Sequence, residues 1–409
     1  MVQSQRVKKH KQVKGYVLPL PASYLKLLFG LLISKLGDAL YTFAIPWISY
    51  RLTDSVVVMG SMFVMGVLPV VIFGPFVGVA VDRWDKRIIM IIADISRLVL
   101  VSLIPIFQLL GVLQLWHLFT ISFILSALSL LFDVATVSSI PDIVGSSLTK
   151  ANSAYQFINQ LVELIGPVVA GIIVGAIGGI QTLWLDVASF LVIIFITLNL
   201  PKKRFIKTSS QKFGFFQDMS HGFSWLVKDR LNLSLSLQAM VGNFGASSVL
   251  AVFMYYLLGE LQLNSSQSGV NYSMIGIGGL IGSLIAVPLE DRFRRGLLIP
   301  ILLGTGALGL LIAIAGDFWL APGIALGVTM ICNSAWNSLV ASIRQETVPA
   351  DLLGRVLGIS RMFTRLAMPL GAYVGILMAK EEPAMVFVLA ASTKGVEVII
   401  ALVTPIKKL

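Results

Sequence analysis

Two acids stand where an acid is expensive. Asp38 and Glu163 each fall well inside a long apolar run, in a chain of 409 residues of which only 12% are charged. A charge at the centre of a membrane-spanning helix costs about 2.5–3.5 kcal/mol on insertion scales, so such a residue needs a function or a partner. A carboxylate in a low-dielectric crevice that water can reach takes up and releases a proton near neutral pH. Proton exchange at Asp38 and Glu163 is therefore the chemistry this pattern suggests. Tyr41 and Ile45 share the face of Asp38 at i+3 and i+7. Glu163 lies about 18 Å into its helix, one turn before Gly166-Pro167, a pair that bends helices.

The other buried charges have plainer accounts. Lys35, one turn before Asp38, is placed to neutralise it, which would make the acid architectural. Asp94 and Arg97 are three apart on one face and pair locally, or extend a network from the nearby loop. Glu397 and Arg365 are expected at similar depth on adjacent helices, as an interhelical ion pair. Asp133 lies near a helix end within reach of water, Asp186 falls in a helix expected to be peripheral, and Lys394 is left without a role.

Helices must position these groups. Hydrophobic residues make up 56% of the chain and mean hydropathy is +0.89, far more than a soluble domain needs for its core. Apolar runs of about 20 residues, enough to cross the hydrocarbon layer, recur along the whole chain. Spans are expected at 24–50, 56–79, 88–110, 116–140, 151–177 and 182–200, then at 231–258, 268–289, 297–315, 319–343, 356–379 and 384–403. The chain thus reads as all-α and integral to a membrane, with a basic tail (1–22), six spans (23–200), a polar middle loop (201–230) and six further spans (231–409).

The net charge of +11 sits in loops and tails. Lys and Arg are retained on the cytoplasmic side, so orientation explains the charge and no nucleic acid is needed. An even number of spans with both ends cytoplasmic satisfies every connection. The single Cys332 excludes an intrachain disulfide, and the three His residues show no metal-ligand spacing. With no nucleotide-binding glycine loop either, the chain is not expected to be an enzyme, and no cofactor or metal is expected.

The turn 82–87, DRWDKR, packs five charges into six positions. VDRWDKR from Val81 returns as EDRFRRG from Glu290, and SSIPDIVGSSLTKANS from Ser138 resembles ETVPADLLGRVLGIS from Glu346. The offsets, 209 for Asp82 to Asp291 and 208 for Pro141 to Pro349, agree, which indicates an internal duplication.

GPFVGVAVDRWDKRIIMIIADISR, PDIVGSSLTKANS, IGPVVAGIIVG and LDVASFLV occur in an order and spacing that resemble the major facilitator superfamily. Within it the likeness is to bacterial macrolide and multidrug efflux proteins and siderophore exporters, and it covers essentially the whole chain. The resemblance implies two six-helix bundles around a cavity that opens alternately to each side. It also implies that the charged turn latches the halves when the cavity faces outward, with Gly78 allowing close approach and Asp82, Arg83 and Arg87 acting as gate residues. Asp94 and Arg97 extend that set. The plainer alternative is that the bases merely enforce orientation, which leaves Asp82 and Asp85 unexplained.

Gly166, Pro167 and Gly171 resemble the fifth-span signature of proton-coupled antiporters, with Ala170 in place of one glycine of the usual pair. Gln238 and Asn243 in the seventh span and Asn333, Trp336 and Asn337 in the tenth are expected on the cavity wall with Tyr41, beside an apolar surface of Phe43, Trp47, Met62 and Met65. Such a wall suits bulky amphipathic molecules. The expected function is export of drug- or macrolide-like compounds across the bacterial inner membrane by proton antiport, by a monomer in contact with membrane lipids. Export of a siderophore, flipping of a lysophospholipid, and a transport-inactive sensor or scaffold are the alternatives.

Overall fold

The computed structural model describes residues 20–145, 148–200, 215–316, 318–349 and 352–409. Twelve of its helical segments are long and apolar enough to cross a membrane. The first six are α1 (Ala22–Thr53), α2 (Val56–Arg83), α3 (Lys86–Leu109), α4 (Leu115–Val144), α5 (Leu148–Ile177) and α6 (Gly179–Leu198). All of them lie within two or three residues of the expected spans, except at some ends where the helix runs past the apolar stretch into polar residues.

The middle loop departs from expectation. It contains α7 (Phe215–Lys228), a helix that the polarity of 201–230 hides. Leu226 and Trp225 of α7 pack on Val348, Val356 and Ile359, while Phe223 and Val227 stay exposed. That one-sided burial is the signature of a helix lying along a surface.

The second half holds α8 (Arg230–Leu250), the short α9 (Phe253–Tyr255) with a π turn at Tyr256–Glu260, then α10 (Ser265–Arg292), α11 (Arg295–Ala315) and α12 (Ala321–Thr347). It ends with α13 (Leu353–Arg365), α14 (Ala367–Glu381), α15 (Met385–Val403) and a single 3₁₀ turn at Pro405–Lys408. The seventh and eleventh spans are thus each interrupted, around Ala251-Val252 and at Leu366, where the sequence pattern reads as continuous.

Each half packs on itself by the same scheme. α1 lies on α5 and α6, and α3 on α4 and α6; correspondingly α8 lies on α14 and α15, and α11 on α12 and α15. The duplication reaches individual ion pairs. Lys86 Nζ binds Asp142 (2.8 Å) and the Ser138 carbonyl (2.7 Å), tying the start of α3 to α4. Arg295, 209 positions on, grips Glu346 through two parallel bonds of 2.6 and 2.7 Å and so ties α11 to α12. Asp85 answers part of the puzzle of the charged turn: its carboxylate accepts from the Arg87 (2.8 Å) and Ile88 (3.3 Å) amides and caps α3.

Among the described residues the halves share their apolar cores at one end. At the end that carries residues 20 and 409, two apolar cores form separately, one from residues 20–200 and one from residues 231–409. At the far end the cores are shared: Met254 and Leu258 pack with Phe43, Ile48 and Met59, and Val56 packs with Val249 and Phe253. Here α5 runs against α10 along a seam of glycines, with Gly171 and Gly269 facing each other's backbone, and α2 runs against α14. Every ion pair among the described residues stays within one half.

Candidate functional site

On α1, residues 35, 38, 39, 42 and 43 follow the i, i+3, i+4, i+7, i+8 rule of a single helix face, and on α5 residues 159, 162, 163 and 167 do the same. These two stripes line one cavity of about 320 Å³. Asp38 and Glu163 therefore look into the same space, with Lys35, Thr42, Phe43 and Asn159 beside them. Tyr272 of α10 closes it on the far side, edge-on to Phe43 (6.1 Å between centroids) and to Phe253 (4.9 Å). A helix-on-helix contact flanks this roof, because Gly276 lies on the backbone of Glu163 and Leu164, where an added Cβ would sit 2.7 Å from the Glu163 carbonyl oxygen.

The acids in the cavity have different partners. Lys35 turns away from Asp38 to Asp133 on α4, 3.2 Å from its Oδ1, and its ammonium lies 5.7 Å from the Tyr155 ring. Asp38 is instead held by Arg97, whose Nη2 binds Asp38 Oδ1 while its Nη1 binds Asp94 Oδ1 at 2.9 Å. Arg97 and Asp94 are buried to within 1% of completely, and Asp38 keeps 36% of its side chain exposed toward the cavity. The guanidinium lies 4.4 Å from the Phe190 centroid and 5.4 Å from that of Phe132. It is thus a desolvated cation fixed by two carboxylates and two aromatic faces. Glu163, by contrast, is exposed in the cavity.

α6 keeps an exposed outer face with Leu191 and Phe195, and Asp186 lies on its inner one. This acid is wholly buried against α1, where a Cβ on Gly37 would collide with its Oδ1 and with Ser189. The Ser189 hydroxyl donates to it at 3.3 Å, and its Oδ2 has no partner among the described residues. Charge counting would have flagged it, since the first six spans bury more acids than Lys35 and Arg97 can match.

The second half has its own buried pair. Lys394 Nζ lies 2.9 Å from Glu397 Oε1 and donates to Asn333 Oδ1 at 2.7 Å. Glu397 thus pairs along its own helix and not with Arg365, which is exposed. Helical spacing of three residues makes that pair local, and a local partner is the cheaper one to hold. Gln238 is buried and donates to the Glu397 carbonyl at 2.8 Å, so it stitches α8 to α15 away from the cavity. Lys394→Gln keeps a donor for Asn333 but removes the charge facing Glu397, and a loss of about 1–3 kcal/mol in stability is expected, read as a lower unfolding temperature in detergent.

The remaining expected residues scatter. Tyr41 is hydrogen-bonded to Ser122 on α4 at 2.8 Å, and Asn243 donates to the Thr364 carbonyl at 3.1 Å. Trp336 is buried in the core of the second half, and Asn337 one residue on is exposed. Trp47 packs on Gly179 beneath Arg51, and Met62 is in the shared far-end core. Gly166 admits Ala39 of α1, with the added Cβ 2.8 Å away, and Gly171 with the Pro167 carbonyl builds the seam to α10. Arg87 donates to the Thr197 (2.9 Å) and Leu198 carbonyls, compensating the negative end of α6 in its own half. The side chains of Gly78, Asp82 and Arg83 lie outside the described residues.

Two like bundles of six membrane-length helices, with an acid-lined cavity beside their contact, define a membrane transporter and not an enzyme. The Major Facilitator Superfamily model matches residues 27–372, with a second match at 235–407, and the chain belongs to that family. It is 25% identical over 363 residues to macrolide efflux protein A of Streptococcus pyogenes, covering 86% of this chain and 87% of that one. Against the multidrug efflux pump Tap of Mycolicibacterium fortuitum it is 24% identical over 366 residues, covering 85% and 87%. Among solved structures a point mutant of the nucleoside transporter NupG superposes with a TM-score of 0.74 at 15% identity, covering 93% of this chain and 98% of that one.

Proposed function

We propose that this transporter exports amphipathic, drug-like molecules from the bacterial cytoplasm in exchange for protons, by alternating access and as a monomer. One observation carries the reading: Asp38 and Glu163, from different helices, face one cavity that also offers the apolar and aromatic surface of Ala39, Phe43, Val162, Pro167 and Tyr272 beside the polar Lys35, Thr42 and Asn159. An amphipathic guest would rest on Phe43, Val162, Pro167 and Tyr272 and meet the carboxylates with its polar or cationic end. The relatives named as macrolide and multidrug efflux proteins support the same class of cargo.

Both chain ends and residues 201–230 lie in the cytoplasm in this reading, following the excess of Lys and Arg there. The state described is then inward-facing, sealed at the periplasmic end by the α5–α10 seam. Proton uptake at Asp38 or Glu163 neutralises a carboxylate on one side, and its release on the other restores the charge.

Ethidium accumulation in cells with and without the gene tests this. Wild type is expected to lower accumulation, and collapse of the proton gradient to abolish the difference. Asp38→Asn is expected to match the empty vector, and Glu163→Gln to lose most of the effect, at normal expression. Efflux that survives both substitutions, or that ignores the gradient, would sink the proposal.

A further inference from the structure

Three carboxylates, Asp38, Asp94 and Asp186, gather around the single guanidinium of Arg97. Arg97 is engaged by Asp94 and Asp38, so Asp186 has no cation of its own among the described residues. Lys35 cannot help, being bound to Asp133. The helices packed against α6 bring no other base to Asp186: Arg87 of α3 is spent on the Thr197 and Leu198 carbonyls at the end of α6. α1 brings Asp38 and the Tyr41 hydroxyl, α3 brings Asp94 and Arg97, and α5 turns its one acid, Glu163, to the cavity. On α6 itself only Ser189 touches Asp186. An ion without a counterion in so dry a place does not persist; the group is neutralised instead.

The geometry adds an asymmetry. Asp38 is partly open to the cavity, whereas Asp186 is sealed from water against Gly37, the residue next to Asp38 on α1. Arg97 lies between them, stacked on Phe190 of α6, with its Nε hydrogen still unpartnered. A planar guanidinium with a donor to spare can exchange one carboxylate for another by a small turn.

We propose that Asp186 is the inner seat of a two-seat proton site: a proton taken from the cavity by Asp38 is passed to Asp186 and kept there, away from water, while Arg97 holds the Asp38 carboxylate. This rests on the proton-coupled reading above. In the transfer the O–H bond of Asp38 breaks as that of Asp186 forms, and the negative charge moves to Asp38. Arg97 stays cationic and follows the charge. Release runs in reverse: Arg97 turns to Asp186, the proton returns to Asp38, and cavity water accepts it. The arrangement seen, with Arg97 on Asp38, is the loaded one. It supplies what an exchanger needs while the halves rock, a proton that cannot leak.

Infrared spectra of the purified protein at neutral pH test it. Wild type is expected to show a protonated-carboxyl stretch that resists exchange in heavy water, and Asp186→Asn to lose it. Asp38→Asn decides between a proton seat and a permanently neutral structural acid. By freeing Arg97 to turn to Asp186, it is expected to remove the band as well, whereas a structural acid would keep it. Absence of the band in wild type, or its persistence in either variant, overturns the proposal, and the first of these needs no variant to fold. In cells, ethidium efflux is expected to fail in Asp186→Asn and to return in part in Asp186→Glu. Efflux in wild type that ignores the gradient removes the proton reading and this inference with it; gradient-driven efflux left intact by Asp186→Asn removes Asp186 alone.

Discussion

Arg97→Leu is expected to destabilise the protein by about 3–5 kcal/mol, because it leaves the wholly buried Asp94 without its cation. Thermal unfolding in detergent measures this. Breaking an ion pair and deleting it have unequal costs. Asp38 can fall back on cavity water when Arg97 is gone, but Asp94 cannot. Replacing both partners, Asp94→Leu with Arg97→Leu, removes the stranded acid and is expected to recover most of the loss. Transport should not recover, since no guanidinium is then left to hold the Asp38 carboxylate beside Asp186. Arg97→Lys keeps the charge but not the fork that spans two carboxylates, so it should fall between wild type and Arg97→Leu. A single Arg97→Leu as stable as wild type would show that Asp94 does not depend on its cation.

Gly269→Leu should drive the protein out of the state described. A side chain there has no room: its first carbon would run into the Pro167 carbonyl, with Gly171 Cα only 3.2 Å away. Backbone cannot yield as a flexible side chain does. Overpacking costs about 1–3 kcal/mol, and because it falls only on the state in which α5 and α10 touch, it alters the ratio of states by about 5–150-fold. Spin labels at the exposed Leu110 and Phe318, near the far end of each half, are expected to report a longer distance in Gly269→Leu than in wild type. Cysteine labelling is practical because the one native cysteine, Cys332, is buried. An unchanged distance distribution would mean that the seam is not a gate.

The sequence was informative where a residue's own helix decides its surroundings. Span positions followed from hydropathy, because a helix in lipid needs an apolar run of fixed length whatever its neighbours. Asp38 and Glu163 could be picked out by the same logic, and the residues sharing their faces by helical spacing. Interhelical facts were less legible. Nothing in α6 alone says that Asp186 lies behind Gly37, or that Lys35 passes over Asp38 to reach Asp133 on α4. The reverse error occurred at Glu397, where a partner was sought on another helix while Lys394 waited one turn away. The break around Ala251 carries no proline or glycine to announce it, the one at Leu366 is announced only by Pro369 three residues on, which cannot donate to the Arg365 carbonyl, and α7 hides in a loop whose polarity dominates any window wide enough to average over.

The seam where the halves touch is glycine on backbone and ring on ring, and none of the observed ion pairs spans it. A door held shut by shape has nothing for salt to screen and nothing for pH to titrate. The command to open must come from elsewhere, from the acids in the chamber it closes, and their occupancy alone would set which way the molecule leans. Ionic strength should leave that balance untouched on this side, while a single misplaced methyl group should not.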